Sequence, residues 1–210
     1  MKIAVIGTGN VGGVLGTRWA QKGHQVVFGS RDPEGEKAQH LVAGAGPNAS
    51  AASTADAASA SAVVVFATPW SVTERTIISA GDLTGKIVVD CTNPLKPGFA
   101  GLDVGFDTSG GEQVAAWAAG ARTVKAFNTT GSGNMQDPLY DGEPISMFIC
   151  GDDVEAKQTV AVLAADLGFE VVDVGALSAA RLLEPLAMLW ISLAYAHGLG
   201  PNFALKLVRR

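Results

Sequence analysis

The residues best suited to chemistry open the chain. Gly7-Thr8-Gly9-Asn10-Val11-Gly12 follows the apolar run Ile3 to Ile6 directly and leads into a helix-like stretch from Val11 to Lys22. In such a turn Gly7 permits the tight bend, Gly9 leaves room for a pyrophosphate, and Gly12 lets helix and strand pack closely. The unpaired N–H groups of the helix start then face the anion. A strand before the motif and a helix after it predict a dinucleotide-binding turn and not an ordinary glycine loop.

The end of the next strand, Phe28-Gly29-Ser30-Arg31, bears on which dinucleotide. Arg31 lies 19 positions after Gly12, where an NAD-binding fold would carry an acid for the ribose hydroxyls. An acid there repels a 2′-phosphate, whereas Arg31 offers a fork of donors with a fixed charge and Ser30 adds a hydroxyl. The expected cofactor is therefore NADP(H). Lys37 stands where it could also reach the phosphate, although a helix-surface lysine is more often merely solvated; Asp32 is the contrary feature.

In an open parallel sheet the ligand lies beyond the carboxyl ends of the strands. Those ends read Ala67-Thr68-Pro69-Trp70, Cys91-Thr92-Asn93-Pro94 and Ala126-Phe127-Asn128-Thr129-Thr130. They are small, uncharged and rich in amides and hydroxyls, a set that suits a nicotinamide with a second ring stacked beside it. For Thr68, Pro69 and Asn93, turn chemistry and ligand contact fit equally well; Trp70 either lines the pocket or packs under a helix. Carbonyl reduction normally needs a positioned proton donor. Yet His24, His40 and His197 fall away from the strand ends, and no Tyr-x-x-x-Lys pair exists. No protein acid or base is expected to be catalytic. Hydride transfer between two ring carriers, which needs alignment above all, fits better.

The elements that must position these residues follow from the hydropathy pattern. Seven short apolar runs (Ile3–Ile6, Gln25–Phe28, Ala62–Ala67, Lys86–Cys91, Thr123–Phe127, Ser146–Cys150, Glu170–Val174) alternate with helix-length stretches. The helical stretches are Val11–Lys22, Glu34–Ala43, Val72–Ala80, Gly111–Ala119 and Val154–Leu167. That alternation predicts an α/β, Rossmann-type doubly wound sheet, mainly parallel and covered on both faces. The Ala/Ser-rich segment Ala49 to Ser61 reads as a helix-and-turn connection, and Leu95 to Gly111 as a long binding loop. From Leu177 onward the pattern is helical. The expected division is a nucleotide-binding domain over 1–175 and a small helical segment over 176–210.

Composition narrows the function classes. With 48% apolar and 17% charged residues the chain can fold on its own core. A net charge of −5 without a Lys/Arg cluster leaves no footprint for nucleic acid. Cys91 and Cys150 show no metal-ligand spacing, so no metal is expected, and a reducing, cytoplasmic setting follows. The glycines after Ile6 break up any signal-like hydrophobic region. Pro185 to Leu205 carries no formal charge over 21 positions. Its continuous apolar part ends at Ala196, about 18 Å of helix against a bilayer core of about 30 Å. A buried or subunit-facing helix is expected, with no membrane contact.

On these residues the chain resembles the NADPH-dependent reductases of the deazaflavin coenzyme F420. The likeness spans nearly the whole length, through Gly7 to Gly13, Gly29-Ser30-Arg31, Thr68-Pro69-Trp70, Val124 to Asn128 and the leucine-rich tail after Leu182. It is also similar to the cytosolic NADPH-binding domain of the six-transmembrane metalloreductases, through Gly29 to Pro33, Gly85 to Asp90, Lys125 to Asn128 and Ile149 to Asp152. The resemblance implies that Thr8, Ser30 and Arg31 hold the 2′-phosphate region and that the three strand ends frame the nicotinamide. It further implies a homodimer with the tail helices at or near its interface and a ring acceptor in a cleft close by. That acceptor would be coenzyme F420, with FMN or FAD as the second choice. The loop Thr129 to Asn134 departs from the sequence expected after the Phe-Asn pair. Two other readings compete. One is a small carbonyl or imine reductase of the β-hydroxyacid dehydrogenase type, which needs a catalytic lysine on a long C-terminal helical domain. The other is a non-catalytic NADP-sensing module.

Overall fold

The computed structural model describes residues 1–210. The chain begins β1 (Lys2–Ile6), α1 (Asn10–Gln21), β2 (Gln25–Ser30), α2 (Glu36–Ala45), β3 (Ala49–Ser53), α3 (Thr54–Ser59), β4 (Val63–Phe66), α4 (Trp70–Ser79) and β5 (Ile87–Asp90). It continues α5 (Gly110–Trp117), β6 (Arg122–Lys125), α6 (Ser132–Gln136), the short hairpin β7 (Leu139–Tyr140) and β8 (Glu143–Pro144), β9 (Ser146–Gly151), α7 (Val154–Asp166), β10 (Glu170–Asp173) and α8 (Ala180–Ile191).

Eight strands form one sheet in the order β10-β9-β6-β5-β4-β1-β2-β3. The six from β3 to β6 are parallel, and their order is that of a dinucleotide-binding sheet. β9 then joins β6 antiparallel through Val124↔Gly151 and Lys125↔Cys150, and β10 pairs parallel with β9. The strands are buried on both faces because they lie between two helical layers. On one face Trp19, Phe28, Phe127, Met147 and Leu163 form the larger core; on the other Ile6, Phe66, Ile77 and Val114 form the smaller. Complete burial of one such side chain contributes about 1.5–3 kcal/mol. α1 approaches the sheet closely because a Cβ at Gly16 would collide with the Phe28 ring. Trp19 Nε1 donates to the Leu163 carbonyl at 2.9 Å and ties α1 to α7.

Two expectations need correction. Ala49–Ser61 is not all helix and turn: its first half is the edge strand β3, and only Thr54–Ser59 is helical, capped by Ser53. Alanine and serine have little strand preference of their own, so the identity of β3 comes from its pairing with β2. The tail is helical only as far as Ala196, where α8 runs on through a wider turn from Ser192. Beyond it the chain is irregular and folds back, with Trp190 Nε1 and Asn134 Nδ2 donating to the Phe203 carbonyl and Leu207 N donating to Ser146 Oγ. Leu177–Ala196 is long and apolar enough to cross a membrane by length and composition. Here it lies against α5, β6 and β9.

Candidate active site at the carboxyl edge of the sheet

The glycine turn has the stereochemistry its spacing requires. Gly7 sits at φ +115°, and a Cβ there would stand 2.5 Å from the Ala67 carbonyl oxygen. A Cβ at Gly12 would collide with the carbonyl oxygen of Gly7, whereas one at Gly9 would meet nothing within 4 Å. Gly7 and Gly12 are therefore fixed by the fold, and Gly9 is free space in front of α1. No side chain caps α1, and the N–H groups of Asn10, Val11 and Gly12 have no partner in the protein. Asn10 is exposed, Val11 half-buried and Gly12 buried in the turn; unpartnered donors at a helix start, with its positive end behind them, make a site for a phosphate group.

Thr8, Gly9, Asn10 and Lys37 line one crevice of about 670 Å³ between α1 and α2, together with Thr17, His40 and others that the sequence did not single out. Ser30 and Arg31 end β2 beside this crevice and do not line it. The Ser30 hydroxyl closes a turn with the backbone of Asp32. Arg31 and Lys37 are exposed, and neither forms an ion pair with a carboxylate.

The other predicted residues gather at the ends of β4, β5 and β6. Thr68 shares a hydrogen bond with Thr73 at 3.0 Å. Trp70 begins α4 and packs on Trp117, with ring centroids 5.2 Å apart and its ring beside Gly110. Ala67, Thr68, Pro69 and Asn93 are at least partly open, whereas Pro94, Ala126 and Asn128 are buried, Ala126 completely. After β6 the backbone turns at Phe127, a left-handed residue at φ +61°. It is held by an edge contact to Trp19 at 5.6 Å and by its N–H on Met147 Sδ. Such a conformation costs about 1–2 kcal/mol for a bulky residue and persists only where packing imposes it. Beyond the turn, Asn128 Nδ2 donates to Asn93 Oδ1 at 3.0 Å, and Asn93 Nδ2 donates to the Asn128 carbonyl at 2.9 Å. The segment Thr129 to Asn134, read from the sequence as a loop, is loop only as far as Gly131 and then forms the first part of α6; it packs under Trp190, whose ring a Cβ at Gly131 would approach to 2.6 Å.

Directly behind these ends lies a buried ionic cluster that the sequence reading missed. Lys125 Nζ donates to Asp90 Oδ2 at 2.8 Å, to the Thr92 carbonyl at 2.7 Å and to Glu184 Oε1 at 2.7 Å. Lys125 and Asp90 are 0% exposed and Glu184 1%. Glu184 also accepts the N–H groups of Gly110 and Gly111 at the start of α5, both at 2.9 Å. Asp90 Oδ1 accepts from the N–H and hydroxyl of Thr92. Burial opposes the charge of Lys125, yet Asp90 and Glu184 hold its pKa above the ordinary lysine value. Burial pushes the neighbouring Cys91 thiol well up, and that of Cys150 up to about 12, so both stay protonated. The available signal was charge where charge is unexpected: an acid and a lysine ending Val-rich buried strands, and one acid inside a leucine helix must find partners.

Residues 2–94 match the model of the family described as NADP oxidoreductase, coenzyme F420-dependent. The F420-dependent NADP reductase of Methanothermobacter thermautotrophicus is 31% identical over 209 residues, covering 92% of this chain and 89% of that protein. The chain belongs to this family. As a member it is an NADP-dependent oxidoreductase with a Rossmann-type fold. A crystal structure from Arthrobacter sp. FB24, described as a candidate F420-dependent NADP-reductase, is 35% identical with a TM-score of 0.90 and full coverage of both chains. The metalloreductase STEAP3 of Rattus norvegicus is 32% identical across 89% of this chain, which spans only 36% of that protein's length.

Proposed function

We propose that the chain moves a hydride between NADPH and the deazaflavin ring of coenzyme F420. The pyrophosphate would lie on the Gly7 to Gly12 turn, against the N–H groups of Asn10, Val11 and Gly12. Thr8, Ser30, Arg31 and Lys37 would hold the 2′-phosphate. Ala67 to Trp70, Asn93, Pro94, Ala126 and Asn128 would form the frame around the nicotinamide, with Ala126 and Pro94 as its buried backing. NADPH, when bound, supplies the hydride. The protein aligns the two rings and keeps charge away from them.

The observation that carries the acceptor reading is the state of the titratable groups at the strand ends. Lys125 has no N–H left to donate, Asp90 and Glu184 are tied to it, and Cys91 is held protonated. No acid or base faces a substrate there, which suits ring-to-ring hydride transfer and not reduction of a carbonyl. The name of the Methanothermobacter relative supports a deazaflavin ahead of FMN or FAD. The exposed apolar side chains of the tail, among them Leu182, Leu189, Tyr195 and Leu199, support a homodimer formed through residues 176–210. Two free, buried cysteines fit a reducing cytoplasm. The test is to mix the protein with NADPH and, separately, coenzyme F420, FMN and FAD, following NADPH absorbance. Rapid oxidation with F420 and slow or no oxidation with the flavins is expected; inertness toward all three overturns the reading.

A further inference from the structure

The buried cluster belongs to a closed ring of contacts. Glu184 bonds Lys125, and Lys125 bonds the Thr92 carbonyl. The next residue, Asn93, pairs with Asn128, and Asn128 Nδ2 donates to the carbonyl of Leu183, the residue before Glu184. Every orientation in the ring is determined. Asn93 Nδ2 is taken by a backbone carbonyl, so its Oδ1 faces Asn128 Nδ2, and that nitrogen also serves Leu183. Asn128 Oδ1 is then left buried without a partner. An apolar trio would join the same elements without desolvating three charges. What the charges add is direction: they fix backbone groups at the ends of β5 and β6 and at the start of α5.

We propose that Glu184 and Lys125 are positioning residues for the nicotinamide end of the cleft, acting through Thr92 and the Asn93–Asn128 pair, so that docking of α8 sets the hydride-transfer geometry. The inference rests on the reading that the nicotinamide lies at these strand ends. Saturated donors keep Lys125 itself out of the chemistry. α8, which contributes Glu184 and the Leu183 carbonyl, is then a working part of the site and not only a dimer surface.

Glu184→Gln tests this directly, because it preserves size and leaves Lys125 and Asp90 as a neutral pair. Three quantities are measured: the NADPH Kd by titration, the fluorescence lifetime of bound NADPH, and KM and kcat with coenzyme F420. The Kd should stay within threefold, since the contacts at α1 and β2 are untouched. The lifetime should fall toward that of free NADPH, and kcat should drop at least tenfold with KM changing less than threefold. Arg181→Gln is the control, cutting the Arg181–Glu112 pair between α8 and α5 (2.6 and 2.9 Å) while sparing the ring. It should lower Tm but leave lifetime and kcat within twofold. Should Glu184→Gln not fold, Asn93→Ala opens the ring at a half-buried position and should shorten the lifetime in the same way. An unchanged lifetime in the folded ring variant, or an equal loss in Arg181→Gln, overturns the proposal. If the parent protein ignores F420 while Glu184→Gln still shortens the lifetime, the acceptor reading fails and the positioning role stands.

Discussion

α1 and α5 both start at the carboxyl edge of the sheet, both have paired glycines in the first turn, and they treat their unpaired N–H groups in opposite ways. At α1 the groups of Asn10, Val11 and Gly12 have no partner in the protein, and the space over Gly9 is open. At α5 all three are filled from within, Gly110 and Gly111 by the Glu184 carboxylate and Glu112 by the Ser109 hydroxyl. The glycine that precedes α1 and the second glycine of α5 differ accordingly. A Cβ at Gly9 would touch nothing, whereas one at Gly111 would press on Ala180 at 3.0 Å and on Lys125 at 3.4 Å. One helix start is kept for a ligand anion; the other holds the protein's own anion and with it the tail.

The largest expected effect comes from emptying the closed end. Lys125→Met leaves two carboxylates buried without their cation and should cost about 3–5 kcal/mol in urea unfolding. A loss below about 1 kcal/mol would show that the cluster is hydrated. At the open end, Arg31→Ala should weaken NADPH by about 10- to 100-fold, or about 1.5–3 kcal/mol, and leave NADH unchanged. Equal NADPH affinity in variant and parent would remove Arg31 from the site.

The two glycines give a matched pair. Gly111→Ala should destabilise the fold by about 1–3 kcal/mol and leave NADPH affinity within twofold. Gly9→Ala should leave Tm unchanged or slightly raised and weaken NADPH at least tenfold. A reversal of this pattern would mean that the open and closed ends have been assigned the wrong way round.

The smallest effect is with pH. Arg181 beside Glu112 holds that carboxyl below its ordinary range, against burial, with Ser109 helping. A lowered folded-state pKa gives stability that is present above the ordinary carboxylate value and lost as pH falls through the lowered one. Below about pH 4.3 the outer α5–α8 contact should therefore weaken, by about 0.2–1 kcal/mol. Arg181→Gln should shrink this acid dependence to the part that Ser109 supplies in a Tm-against-pH series.

The open end was legible in the sequence because its requirements are local: a strand, three glycines at fixed spacing and a helix dictate one turn. Seven of the eight strands of the sheet, β1, β2, β4, β5, β6, β9 and β10, were legible as short apolar runs. β3 was not, since Ala49–Ser53 becomes a strand only by pairing with Val26 to Ser30. The closed end was not legible either. Lys125 lies 35 residues from Asp90 and 59 from Glu184, and no local rule pairs them. Burial of the strands around Asp90 and Lys125 was foreseeable, and with it the need for partners; the identity of the partner on α8 was not.

The most direct measurement is a backbone-amide NMR titration with NADPH. Large shifts are expected at Asn10, Val11 and Gly12, with the Gly110 and Gly111 N–H resonances nearly unmoved. Shifts concentrated at Gly110 and Gly111, with the α1 amides silent, would contradict it.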